Sequence, residues 1–259
     1  MILAIDIGNS HTVLGIFRGE KLLDEWRMTS SLKRSADELW PHIKLFCQES
    51  KIDANKITAV AISSVVPNLT EIFTLMTEKY LHVEPVIISG DMADLGMTIR
   101  YDDPKRLGTD RVCNAVAAYA KYGGPAIVID FGTATTYDVV SKKGEFIGGI
   151  IAPGIETAAA SLNRRTAKLP TVAPEFPASV IGTNTVACIQ SGIMYGALDS
   201  MEGMVRRLRE ILGKKTIVIA TGGLSGIISG KSTLFTHIEP SLVLQGARLI
   251  LERTSGEKM

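Results

Sequence analysis

The chain has almost no charge excess: 28 Lys and Arg stand against 27 Asp and Glu, a net charge of +1. That balance offers no electrostatic footprint for nucleic acid or an anionic membrane surface, so neither is expected as a partner. Long apolar runs are missing as well. None approaches the roughly 18 residues that a membrane span needs. The first residues enter an apolar strand pattern at once, with no charged region followed by an apolar one, so no signal peptide is expected. Cysteine is sparse, and Cys47, Cys113 and Cys188 lie too far apart for a disulfide framework or a CxxC zinc site. The four histidines (His11, His42, His82 and His237) show no metal-ligand spacing. Low-complexity linkers are absent too. What remains is an ordinary globular composition, 46% hydrophobic and 21% charged over 259 residues, and a reducing cytoplasm suits it best.

What is present is a repeat. Asp6-Ile7-Gly8-Asn9-Ser10-His11-Thr12 follows an apolar run over 2–5, and Asp130-Phe131-Gly132-Thr133-Ala134-Thr135-Thr136 follows one over 126–129. Asp, Gly and Thr recur at the same spacing, and the copies lie 124 residues apart, close to half the chain. Each is followed by a second strand-like segment, over 13–17 and 137–140. A strand, a tight turn of Gly and hydroxyl residues, and a returning strand form a hairpin that can offer backbone N–H groups to an anion. One Asp-x-Gly would only start a turn. Two at half-chain spacing imply paired phosphate turns facing a nucleotide, with Asp6 and Asp130 as carboxylates near a metal ion and Ser10, Thr12, Thr133, Thr135 and Thr136 as hydroxyl donors.

The rest alternates strands and helices, which indicates an α/β fold. Strands are expected over 2–5, 12–17, 22–28, 57–62, 83–88 and 216–220. Helices are expected from the capping box Ser35-Ala36-Asp37-Glu38, with Leu39, Ile43, Leu45 and Phe46 inward, and over 67–80, with Ile72, Leu75 and Met76 inward. Further helices are expected over 109–122, 155–163, 183–212 and 240–253. The basic cluster over 206–215 reads as a solvated helix face. Residues 90–108 are too irregular for a long element, as functional loops often are. The domain boundary is expected near 115, giving domains 1–115 and 116–259.

Gly108-Thr109-Asp110-Arg111 opens a helix directly after that loop, with Thr109 or Gly108 as its N-cap. An acidic residue in the first turn suits the macrodipole, but an adjacent Arg does not. Together they suit an acceptor site, with a carboxylate to take a hydroxyl proton and a guanidinium to hold an acidic substrate. Ser225 to Ser232 nearly matches a P-loop, but Ser225 replaces the first Gly and the preceding strand ends too early. Lys231 is therefore expected to be a surface residue.

The duplicated hairpins resemble the actin-like ATPase and sugar-kinase superfamily. The finer pattern resembles type III pantothenate kinase, colinearly from residue 2 to about 250. The motifs that carry this are Asp6-Ile7-Gly8-Asn9-Ser10, Ser63-Ser64-Val65-Val66-Pro67, Tyr101-Asp102-Asp103-Pro104, Gly108-Thr109-Asp110-Arg111, the second Asp130 turn, Gly148-Gly149 through Pro153-Gly154, and Thr221-Gly222-Gly223. His11 departs from the more usual Asn or Thr, and Thr109 from a commoner Ala. The resemblance implies two ribonuclease-H-like domains, with mixed sheets flanked by helices and an ATP cleft between them. It implies ATP-dependent phosphorylation of pantothenate, the first step of coenzyme A biosynthesis.

By the same resemblance Asp110 would be the general base, and Tyr101, Gly108, Thr109 and Arg111 would line the pantothenate site. Asp6, Ile7, Gly8, Asn9, Ser10, His11, Thr12, Val13 and Thr133 would bind ATP, with Asp6 near Mg²⁺. Asp130 would ligate a monovalent cation, potassium or ammonium. Thr185 would reach pantothenate from the partner subunit of a homodimer. The rival readings are a kinase for a sugar or another acid, and a non-enzymatic nucleotide-dependent regulator.

Overall fold

A nearly continuous apolar run, broken only by Asp6, makes β1 (Ile2–Ile7) a strand buried on both faces. The computed structural model describes residues 1–256. In chain order the elements are β1, β2 (His11–Arg18), β3 (Lys21–Thr29), α1 (Ala36–Glu49), β4 (Ala59–Ser64), α2 (Pro67–Met76), β5 (Val86–Ile87), β6 (Thr98–Ile99) and α3 (Thr109–Tyr122). They continue with β7 (Ala126–Phe131), β8 (Ala134–Val140), β9 (Glu145–Pro153), α4 (Ile155–Arg165), α5 (Thr185–Leu212), β10 (Ile217–Thr221), α6 (Ser225–Ser229), β11 (His237–Ile238) and α7 (Leu242–Thr254).

The chain forms two compact units, one of Met1–Ala120 together with the chain from Leu242 onward, the other of Lys121–Ser241. This differs from a boundary at 115 in two ways: the break comes at residue 120, and the last helix returns to the first unit. The cause is the apolar face of α7. Leu244, Ala247, Ile250 and Leu251 are buried, and α7 packs on β1, β2 and β4. Small residues prepare that contact, because Gly15, Ala4 and Ala61 sit side by side across β2, β1 and β4. A side chain on Gly15 would meet Leu244 within 2.8 Å. Gly246 approaches α3 closely in the same way: a Cβ there would lie 2.0 Å from the Cys113 carbonyl oxygen.

In the first unit the sheet order is β3-β2-β1-β4-β5. The β1–β2 and β2–β3 pairs are antiparallel, while β4 runs parallel to β1 and β5 parallel to β4. In the second unit the order β9-β8-β7-β10-β11 repeats it, with the same pattern of directions. Both sheets are therefore mixed, as the duplicated motif leads one to expect. Leu3, Ile5 and Ile7 pack with Leu39, Ile43 and Cys47 of α1 and Leu69, Phe73 and Met76 of α2. Ile127, Ile129 and Phe131 pack with Met194, Leu198, Met201 and Val205 of α5.

The capping box of α1 forms as expected, with Ser35 and Glu38 bonding reciprocally. Leu45 and Leu75, expected inward, are exposed. The buried stripes run 39–43–47 and 69–73–76, and each of these leucines falls about 100° or more away from its stripe on a 3.6-residue helix. The basic cluster on α5 is solvated except at Arg209, which donates to the carbonyls of Thr216 (3.2 Å) and Leu234 (3.5 Å). Residues of the near-P-loop form α6 instead of a cradle, and Lys231 is exposed.

Candidate active site

The first turn joins β1 to β2. Its residues 8–11 lie between the paired Ile7 and Thr12, whereas only 132–134 lie between the paired Phe131 and Thr135. The two turns thus differ by one residue. Asp6 and Asp130 are equivalent, but Thr12 corresponds to Thr135 rather than to Thr136, which the bare spacing suggests. Thr12 and Thr135 are both buried. In each turn the glycine N–H is used internally: Gly8 donates to the His11 carbonyl (3.0 Å) and Gly132 to that of Ala134 (3.1 Å). Neither glycine amide is therefore an anion donor, which narrows the expectation of backbone N–H groups offered to phosphate. Asn9, Ser10 and His11 are exposed in the first turn and Thr133 in the second, while Val13 is half-buried within β2.

Hydroxyl groups from elsewhere fasten each turn. Ser30, just past β3, donates to the Gly8 carbonyl (2.6 Å) and lies 2.9 Å from the Thr12 hydroxyl. Thr157 of α4 donates to the Thr133 carbonyl (2.6 Å), which also accepts from the Gly154 N–H (3.1 Å). Gly222 presses on the second turn with φ +86°, and a Cβ there would fall 2.3 Å from Asp130 Oδ1. That close fit accounts for a glycine in Thr221-Gly222-Gly223. Ser30 and Thr157 carry no motif of their own. They emerge only when the strands pair.

Asp6, one residue before the end of β1, is paired with Ser63 of the parallel strand β4. Ser63 Oγ donates to Asp6 Oδ1 (3.0 Å) and lies 3.1 Å from Thr109 Oγ1. The Ser64 N–H donates to the same Thr109 oxygen (2.8 Å), which is also 3.1 Å from the Ser64 carbonyl. Thr109 is not the cap of α3. The Gly108 carbonyl accepts the first helical bond, from Val112 N–H (3.1 Å), so Gly108 holds the N-cap position and the Thr109 hydroxyl is turned to β4 instead.

Asp110 is next in the first turn of α3. Its Oδ1 accepts from the Arg111 N–H (2.8 Å) and folds back over Gly108, where a Cβ would come within 2.5 Å of it. Burial pushes the Asp110 carboxyl above the ordinary carboxylate range, and the neighbouring Arg111 only partly offsets this. Arg111 is itself buried, while Tyr101 stands exposed on the preceding loop. Asp6, Ser63, Thr109, Asp110 and Arg111 are thus drawn together in the first unit. A desolvated carboxylate beside a buried guanidinium can take a proton from a hydroxyl group. Asp130 and Thr133 belong to the second unit.

Thr185 is also in the second unit, at the first position of α5 after the capping residue Asn184, whose side chain accepts from Ala187 N–H (2.9 Å). It lines a groove of about 750 Å³ with Leu162, Gly182, Cys188 and Ile189 among others. Among the described residues no group of three or more His, Cys, Asp or Glu could hold a metal ion. A divalent ion at Asp6 would therefore draw its remaining ligands from phosphate and water, which suits magnesium bound with a nucleotide.

Comparison with known proteins gives the family. The family model for type III pantothenate kinase matches residues 2–207. The type III pantothenate kinase of Moorella thermoacetica is 46% identical over 255 residues, covering 98% of this chain and all of that one. That of Myxococcus xanthus is 43% identical over 253 residues, covering 98% of each. Among solved structures, a protein described as a Baf family transcriptional activator from Campylobacter jejuni shares the fold, with a TM-score of 0.61 at 18% identity over 98% of this chain and all of that one. So does the activator of 2-hydroxyisocaproyl-CoA dehydratase from Clostridium difficile, with a TM-score of 0.56 at 14% identity over 99% of this chain and 97% of that one. With a family model matched over most of its length and relatives above 40% identity end to end, the chain belongs to the type III pantothenate kinase family.

Proposed function

We propose that this chain transfers the γ-phosphoryl group of ATP to the primary hydroxyl of pantothenate, giving 4′-phosphopantothenate, the first step of coenzyme A biosynthesis. The observation that carries the reading is Asp110, a carboxylate of raised basicity beside the buried Arg111 at the start of α3, within the residues that the family model matches. Its oxygen takes the hydroxyl proton as the hydroxyl attacks in line. Arg111, Tyr101, Gly108 and Thr109 hold the acceptor, and Thr185 reaches it from the partner subunit of a homodimer.

Asp6, Ile7, Gly8, Asn9, Ser10, His11, Thr12, Val13 and Thr133 hold the nucleotide. Ile7, Gly8, Thr12 and Val13 act there through the turn they support, since Ile7 is buried and the Gly8 N–H is bonded to the His11 carbonyl. Asp6 serves Mg²⁺ and Asp130 a monovalent cation, potassium or ammonium; when bound, both ions supply positive charge against the phosphate oxygens. Because phosphoryl transfer leaves little covalent work to the protein, positioning dominates. No helix among the described residues is long and apolar enough to cross a membrane, and the cytoplasm is the proposed location.

Steady-state ADP release with pantothenate tests the base. Asp110→Asn should lower kcat by roughly 10²- to 10⁴-fold while leaving nucleotide affinity nearly unchanged. Near-normal turnover in that variant would remove Asp110 from the role.

A further inference from the structure

We infer that Thr109 is a positioning residue for Asp6, acting through Ser63, rather than only a lining residue of the acceptor site. The inference rests on the reading that Asp6 serves the divalent ion of the nucleotide. Proton direction carries it. The Ser63 hydroxyl has one proton, and it is given to Asp6 Oδ1 at 3.0 Å. With that proton spent, a hydrogen bond across the 3.1 Å contact between Ser63 Oγ and Thr109 Oγ1 takes its proton from Thr109, whose single proton also has the Ser64 carbonyl within 3.1 Å. Thr109 in turn accepts from the Ser64 N–H at 2.8 Å.

The result is one directed row: Ser64 N–H to Thr109, Thr109 to Ser63, Ser63 to Asp6. Each donor in such a row strengthens the next, and the row ends on a carboxylate, where hydrogen bonds are strongest. The Ser64 carbonyl, 3.1 Å from Thr109 Oγ1, is the second acceptor for the same Thr109 proton. The β1–β4 register, which sets Ser63 opposite Asp6, fixes the far end of the row. An alanine at 109 would remove its middle. It would also leave the Ser64 N–H without this acceptor.

The test is calorimetric binding of ADP, in Mg²⁺ and separately in EDTA, to the full chain and to the variants Asp6→Asn, Ser63→Ala, Thr109→Ala, Thr109→Ser and the Ser63→Ala/Thr109→Ala double. Circular dichroism and melting curves accompany each variant. Thr109→Ala and Ser63→Ala should each weaken magnesium-ADP binding about tenfold, as expected for losing support to a charged acceptor. Binding of ADP in EDTA should move less than about twofold, and the double variant should be no worse than either single one.

Thr109→Ser keeps the hydroxyl and should bind magnesium-ADP like the parent. If Thr109→Ala fails to fold, Ser63→Ala against Thr109→Ser carries the same comparison. A rise in pantothenate KM with magnesium-ADP binding unchanged would overturn the inference and leave Thr109 as an acceptor residue. Additive losses in the double variant would overturn it too. If Asp6→Asn itself binds magnesium-ADP normally, the reading of Asp6 falls; if only Asp6→Asn is impaired, that reading stands and this inference falls.

Discussion

Asp110 is held where its charge is disfavoured, because burial raises its pKa while Arg111 only partly opposes the rise. The linkage sign follows directly. A carboxyl raised in the folded state costs stability at pH values above that raised value, where it is ionised in both states, and the cost disappears below the unfolded value. Asp110→Asn should therefore melt higher than the parent at neutral pH, and the gap should close as pH falls through the carboxylate range. A thermal melt series against pH checks this; a lower melting temperature for the Asn variant at neutral pH would contradict it. Gain of stability with loss of turnover is the usual signature of a residue kept for chemistry.

Asp110 and Arg111 stood out in the sequence because an Arg in a first helical turn conflicts with the dipole, and their roles are those proposed above. Ser30 and Thr157 did not, and Ser63 did so only as part of the segment Ser63-Ser64-Val65-Val66-Pro67. Each acts across a strand or helix pairing, and hydroxyl residues at those positions look like ordinary strand ends or helix surface in one dimension. Cys113 gave no sign either. The fold buries it completely, and its thiol is pushed well up by burial and by the charges of Asp6 and Asp110.

Among the elements, helix starts were read well where a cap declares them, as at Ser35, and inward faces less well where several leucines compete. Leu45 and Leu75 are apolar but lie off the stripe set by sheet contact. The repeat itself was read one residue out of step at its threonines, because hairpin register depends on turn length, and the first turn is longer by a residue.

Glycine positions give two element-level predictions of opposite sign. Gly246→Ala would set a Cβ 2.0 Å from the backbone oxygen of Cys113, forcing α7 off α3. It should destabilise by about 1–3 kcal/mol or more, read in urea unfolding. Gly196, exposed within α5, has nothing within 4 Å of its would-be Cβ. Gly196→Ala should stabilise by roughly 0.5–1 kcal/mol in the same assay. Equal effects from both would contradict the packing described.

For the whole molecule, the duplicated strand order was visible in the sequence as two Asp-x-Gly hairpins, and the mixed α/β class followed from strand–helix alternation. The return of α7 to the first unit was not visible. A C-terminal amphipathic helix states which of its faces is apolar, but not which sheet will cover it; the small strip of Ala4, Gly15 and Ala61 decides that only after β1, β2 and β4 have paired. Ending the chain at Ser241 should therefore unprotect the β1 and β4 amides in hydrogen exchange, although both lie far from the cut in sequence. Retained protection there would deny α7 its covering role.

The central claim is the reaction, and it is tested most directly by ADP release from ATP with pantothenate against a panel of sugars and hydroxy acids, each in potassium and in sodium buffer. The account predicts turnover with pantothenate alone, collapsing when sodium replaces potassium. Turnover with another acceptor in preference to pantothenate, or no ADP release with any of them, would contradict it.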